Sequence, residues 1–102
     1  MYTITSLGTD YKQSLSWPIS GYVPVNIFLE FRENQLGWFY SLTWDTFIIN
    51  NDRIVVSNNL LDPFKNLIPF GIAIDGPDYV DPFSIDAWTK GWTFNILEPS
   101  EI

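Results

Sequence analysis

Apolar residues along most of this chain recur at every second position, the spacing of a strand that buries one face. Between residues 22 and 32, Val23, Val25, Ile27, Leu29 and Phe31 alternate with Pro24, Asn26, Phe28, Glu30 and Arg32, so the first set is expected to face a core. Trp38, Tyr40, Leu42 and Trp44 repeat the alternation beyond a polar loop at 33–37, which predicts a hairpin. Leu15, Trp17 and Ile19 share one face of an earlier strand that Pro18 assigns to a sheet edge, and Ser20-Gly21 turns the chain. Residues 47–50 and 53–57 flank Asn51-Asp52, a polar pair that predicts a second hairpin. Trp92, Phe94 and Ile96 mark one side of a last strand at 92–97, and the tail at 98–102 is expected to fray.

The run at 57–74, SNNLLDPFKNLIPFGIAI, follows neither the strand nor the helix period and reads as a connection. Asn58 and Asn59 bond readily to their own backbone and open a turn. Leu60, Leu61 and Phe64 then fall three and four residues apart, on one face of a single helical turn. Pro63 suits the first turn of such a helix, whereas Pro69 forces Ile68 into an extended conformation and prevents its continuation. The segment is expected to form an apolar plug that buries Leu61, Phe64, Ile72 and Ile74. A strand at 70–74 follows, and Gly71 marks a bulge or a close backbone approach. After it come Gly76-Pro77-Asp78 and a long acidic loop. Asp86 is expected to cap a turn that carries Trp88 and ends at Lys90-Gly91.

No segment carries a helical repeat longer than one or two turns. The pattern predicts an all-β fold, a small antiparallel barrel or curled sandwich of six to eight short strands with one or two short helical turns, near 60–65 and 86–89. A chain of 102 residues is expected to form a single domain, residues 1–102.

The order of these features resembles a small family of phage tail proteins. A hydrophobic strand at 54–56 leads to an Asn-Leu-Leu turn, then to Phe64-Lys65, then through Ile68-Pro69-Phe70-Gly71 into an apolar strand. That order is similar to the baseplate plug proteins of contractile-tailed phages, of the kind seen in cyanophage-type simple baseplates. Residues 30–42, EFRENQLGWFYSL, resemble the hairpin in which an arginine-bearing turn leads into an aromatic pair, and residues 1–4 and 10–15 sit where that family begins. The chain departs from the pattern in its abundance of tryptophan and in Pro24 within the strand that opens the hairpin. The resemblance implies a structural virion protein made in the host cytoplasm. It would plug or seal the central hub and tube of the tail baseplate and be released or rearranged on DNA ejection. Its partners would be hub, tube or spike proteins, with several copies in one assembly.

Composition narrows the chemistry. The chain has no histidine and no cysteine, which removes the commonest general base, the usual zinc ligands and any disulfide. No cofactor, metal site or catalytic residue is expected, and the chain is read as non-enzymatic. Twelve acidic residues against five basic ones give a net charge of -7, a sign that repels phosphate backbones, so direct nucleic-acid binding is not expected. No stretch approaches the ~20 apolar residues of a membrane span. Asp75, Asp78, Asp81 and Asp86 have the donor type for calcium, but two prolines interrupt them and no bidentate Glu closes the loop, which favours ordinary turn chemistry. Glu30, Glu33 and Asp45 are the carboxylates from which a glycosidase pair would have to be drawn.

Aromatics make up 18% of the chain, more than a core of this size accommodates, and surplus aromatic area is commonest at interfaces. Alternation assigns Trp38, Trp44 and Trp92 to the core. Trp17 beside Pro18, Trp88, Asp78 and Tyr79 in the acidic-loop region, and Arg32 next to the hairpin tip are the partner-binding candidates. The regions 32–37 and 76–88 are expected to meet neighbouring proteins. The alternative is a carbohydrate-binding β-sandwich module, which a stripe of tryptophans on one exposed face would favour.

Overall fold

The computed structural model describes residues 2–19, 21–77 and 80–102. Among the described residues the chain forms seven strands, the longer ones from alternating apolar and polar residues: β1 (Tyr2–Thr3), β2 (Lys12–Trp17), β3 (Val25–Arg32), β4 (Gly37–Trp44), β5 (Phe47–Arg53), β6 (Gly71–Asp75) and β7 (Thr93–Leu97). They form two antiparallel sheets, one of four strands in the order β2-β3-β4-β5 and one of three in the order β1-β7-β6. The inward set of the first sheet (Val25, Ile27, Leu29, Trp38, Tyr40, Leu42, Ile49) and that of the second (Ile72, Ile74, Phe94, Ile96) share one buried cluster. The architecture is a sandwich, and the closed barrel that the sequence also allowed is not formed.

The β3–β4 hairpin is the longest ladder, running from Asn26↔Thr43 to Arg32↔Gly37. Its tip is a 3-10 turn at Glu33–Gln35, after which Leu36 takes the left-handed conformation (φ 46°). β2 lies at the edge, as expected, with Leu15 and Trp17 half-buried over the core, but it ends at Trp17, so Pro18 and Ile19 lie beyond the strand to which they were assigned. Val23 is exposed, because the chain becomes strand only at Val25.

Four expectations are corrected. Asn51-Asp52 is not a hairpin turn: it lies within β5, where Tyr40↔Asp52 and Leu42↔Ile49 place Asn50 and Asn51 opposite the single residue Ser41. This is a β-bulge, with Asn51 at φ 55° and its N–H donating to Ser41 Oγ at 3.1 Å. The true turn is Asp45-Thr46, closed by Trp44↔Phe47. Helical turns also outnumber the expected one or two, since 3-10 turns occur at Glu33–Gln35, Asp62–Phe64, Ala87–Thr89 and Pro99–Glu101 among the described residues. The last of these holds the tail in a capping box between Glu98 and Glu101 rather than leaving it frayed. Phe64 is only half-buried, its ring meeting Phe47 edge-on at 5.3 Å, whereas Leu61, Ile72 and Ile74 are buried as expected.

The 57–70 connection seals one sheet edge. Ser57 and Ile74 exchange two backbone bonds of 3.0 and 2.9 Å, and Leu60 N–H donates to Ile72 O at 2.6 Å. Asn59 Oδ1 accepts from both Leu61 N–H (3.0 Å) and Ile72 N–H (3.2 Å), joining the connection to β6. Gly71 is required there, because a Cβ would lie 2.6 Å from that same oxygen.

Candidate interaction surface

The hairpin tip and the acidic loop, far apart in sequence, meet in space. Tyr11, Phe31, Glu33, Leu36, Phe83, Ser84 and Ile85 line an open groove of about 630 Å³. Tyr11, Leu36, Phe83 and Ile85 are exposed apolar side chains at 58%, 60%, 50% and 40% of their full area, a contiguous surface of the kind that marks interaction sites.

Each wall is held from behind. Arg53 donates to Gln35 O and Leu36 O, both at 3.2 Å, and so clamps the hairpin tip. Only glycine at position 37 leaves room for it: a Cβ there would lie 2.7 Å from the guanidinium. Tryptophans hold the opposite wall. Trp38 Nε1 donates to Ser84 O at 2.9 Å and Trp92 Nε1 donates to Val80 O at 2.7 Å. Phe83 packs edge-on against Trp92 at 5.5 Å, and Val56 N–H donates to Asp81 Oδ1 at 2.8 Å. The loop is therefore fastened to the sandwich at four points and presents Phe83 and Ile85 from a fixed base.

The expected partner residues fall in different places. Trp88 is half-buried behind the groove, 5.6 Å from the Trp38 ring and 5.9 Å from Phe94, and its Nε1 is buried without a partner among the described residues. Trp17 is half-buried at the opposite end of β2 from the hairpin tip, with its ring 4.7 Å from Tyr2. Arg32 is engaged within the chain: Nε donates to Glu30 Oε1 at 2.7 Å, a terminal nitrogen donates to Asn51 Oδ1 at 2.9 Å, and the guanidinium lies 4.4 Å from the Phe39 ring centroid. Asp78 and Tyr79 lie outside the described residues. Leu36, Phe83 and Ile85 fall within the regions 32–37 and 76–88 expected to meet neighbouring proteins but were not singled out there, and Tyr11 lies outside both, because alternation marks core faces and is silent about loop residues.

No exposed tryptophan stripe forms. Trp38 and Trp92 are buried, Trp17, Trp44 and Trp88 are half-buried, and Trp44 Nε1 donates to Val23 O at 2.9 Å. The carboxylates are spent locally. Asp75 Oδ1 accepts from Gly76 N–H at 2.9 Å and Asp86 Oδ1 from Ser84 Oγ at 2.8 Å, so Asp86 bonds a hydroxyl rather than capping its turn by a side-chain bond. Among the described residues no group of three acidic side chains is placed to hold a metal ion. The Arg32 hydrogen bond holds the Glu30 carboxyl below its ordinary value, opposite to what a general acid requires. No helix among the described residues is long and apolar enough to cross a membrane. No protein-family model matches the chain, and no curated protein matches it.

Proposed function

We propose that this protein is a structural component of a contractile phage tail, seated at the centre of the baseplate, where it plugs the hub or tube and rearranges or leaves on DNA ejection. The observation that carries the reading is the groove between the hairpin tip and the 80–86 loop, an apolar surface built on a braced scaffold. Its anatomy, aromatic and aliphatic side chains with Glu33 at the rim, is that of a protein interface. The order of features at 30–42 and 54–74 supplies the phage context. The role is binding and sealing, not catalysis, and the partners are hub, tube or spike subunits with several copies per assembly. A surface of net charge -7 fits a wall past which DNA must move without being held.

The test is assembly. Leu36→Asp with Phe83→Asp alters two exposed groups, so the isolated chain should keep its circular dichroism spectrum and melting temperature. In phage carrying the double variant, the chain should be missing from purified particles. Normal incorporation of that variant would refute the groove as the docking surface, and absence of the native chain from particles would refute the baseplate reading.

A further inference from the structure

Four strands lie at sheet edges, and three of those edges are blunted. β6 is covered by Ser57, Asn59 and Leu60. β5 is interrupted by the Asn50–Asn51 bulge, a device that twists an edge away from intruding strands. β1 is two residues long. β2 is different, with six residues, no bulge, and Pro18 only after its end.

The register shows which of its backbone groups are free. Phe31 N–H donates to Tyr11 O at 2.7 Å, and the β2–β3 ladder continues in step from Lys12↔Glu30 to Trp17↔Val25. Antiparallel pairs bond at every second residue, so Gln13, Leu15 and Trp17 bond inward to β3 while the N–H and C=O groups of Lys12, Ser14 and Ser16 point out from the sheet. The side chains of those three residues are exposed. Ser14 stands beside Phe28, and Phe28 beside Ser41. These two small neighbours leave the Phe28 ring 53% exposed in a trough of about 370 Å³ lined also by Lys12, Glu30, Phe39 and Asn51. Lys12, Arg32 and Arg53 gather around this face, three of only five cations in the chain, against the single acid of the lining, Glu30, which is bonded by Arg32 at 2.7 Å and lies 3.9 Å from the largely exposed Lys12 ammonium.

We propose that β2 is a strand-addition site for an extended segment of a partner protein, one that places an acidic residue beside Lys12 and a long apolar side chain over Ser14 onto Phe28. Three outward N–H groups and three outward carbonyls supply the main-chain bonds, and alternate side chains supply the specificity. Phe28 lies about 10 Å from such an added backbone, two strand spacings away, and only a small residue at 14 lets an aromatic or methionine side chain cross to it. A second copy of this chain is a poorer occupant, because β2 (KQSLSW) contains no acid to answer Lys12. The proposal is independent of the phage reading, since any acidic extended partner meets its terms.

A probe peptide with Glu set opposite Lys12, Val opposite Leu15 and Phe opposite Ser14 tests it. Hydrogen exchange by NMR should slow at the Lys12, Ser14 and Ser16 amides when the peptide is added at ~1 mM, a concentration that reports even weak binding. Gln13, Leu15 and Trp17, already bonded to β3, should not change. Ser14→Pro removes one outward donor without touching the internal ladder, so the variant should stay folded and lose the protection. Lys12→Glu should weaken binding roughly tenfold or more, and exchanging Glu for Lys in the peptide should restore it. The proposal is overturned if no protection appears at that concentration, if Ser14→Pro binds as well as the native chain, or if the same amides are protected by raising the protein concentration alone.

Discussion

The Trp38 indole N–H donates to the Ser84 carbonyl oxygen at 2.9 Å, across 46 residues of sequence, and ties the central hairpin to the loop that faces its tip. Trp38 is fully buried, and the rings of Phe31 and Trp88 each lie 5.6 Å from its own. A residue read from the sequence as core filling is thus also the fastening of the groove. Trp38→Phe keeps most of the apolar bulk but leaves the Ser84 carbonyl unpaired, at a cost of about 1–3 kcal/mol. The decisive measurement is local: exchange at residues 83–87 should accelerate more than exchange in β6 and β7. Uniform acceleration would mean that the bond stabilises the whole sandwich and not the loop.

Asn59 is the second fastening, joining the 57–70 connection to β6 through one side-chain oxygen and two backbone donors. Asn59→Ala leaves both N–H groups without that acceptor and should cost about 1–3 kcal/mol for each one that water does not reach. Asn59→Asp keeps the oxygen and should recover much of the loss. Chemical denaturation of the three proteins orders them native, Asp, Ala; equal loss in both variants would assign the effect to the amide nitrogen.

Phe64 and Phe70 share the connection but not its burial. Phe70 is fully buried and Phe64 is half-buried against Phe47. Phe70→Ala should therefore cost about 3–5 kcal/mol, the range for a core phenylalanine, and Phe64→Ala clearly less. Comparable denaturation midpoints for the two variants would contradict the packing.

Legibility followed the period of the chain. β3, β4 and β7 were readable because Ile27, Leu42 and Phe94 alternate with residues that face elsewhere, and a buried strand face requires that spacing. The Asn51-Asp52 pair was misread as a turn because Asn and Asp serve turns and left-handed bulges equally well, and only the pairing, in which Ser41 faces both Asn50 and Asn51, distinguishes them. Phe64 was placed too deep because i, i+3 spacing identifies a shared face but not how far that face sinks. The two halves of the groove were legible as separate loops. Their meeting depends on Trp38 reaching Ser84, a tertiary contact with no local signature. Tyr11 consequently carried no mark in the sequence, and Phe83 only that of the region 76–88 around it.

Tyr40 gives the fold a dependence on high pH. Burial, and secondarily the Asp52 charge, push its phenol from 10.0 up to about 12. The folded chain therefore holds this proton where the unfolded chain has released it. The sign follows: the contribution is fully present below pH ~10 and is lost as pH rises from there toward the folded value. Denaturation midpoints should decline across that window, and Tyr40→Phe, which has no proton to lose, should flatten the decline. An identical slope in the variant would assign the loss to other groups.

Gly37 separates order at the hairpin tip from stability of the fold. Its missing side chain is what lets the Arg53 guanidinium cross the strand and donate to Gln35 O and Leu36 O. In Gly37→Ala the added methyl meets the far end of a flexible side chain, so Arg53 can swing into solvent and the sandwich should lose only about 1 kcal/mol or less. Leu36 loses its clamp, although its left-handed backbone and exposed side chain have no other brace among the described contacts than the Leu36 N–H to Glu33 O bond of 3.1 Å. Amide exchange at residues 33–36 should accelerate several-fold while the melting temperature barely moves. If the groove is the docking surface, incorporation into particles should fall with tip order and not with global stability. Arg53→Ala should then reproduce the defect of Gly37→Ala, since both remove the same clamp from opposite sides. A Gly37→Ala chain with a native exchange profile at the tip would show that Leu36 is held by the backbone turn alone.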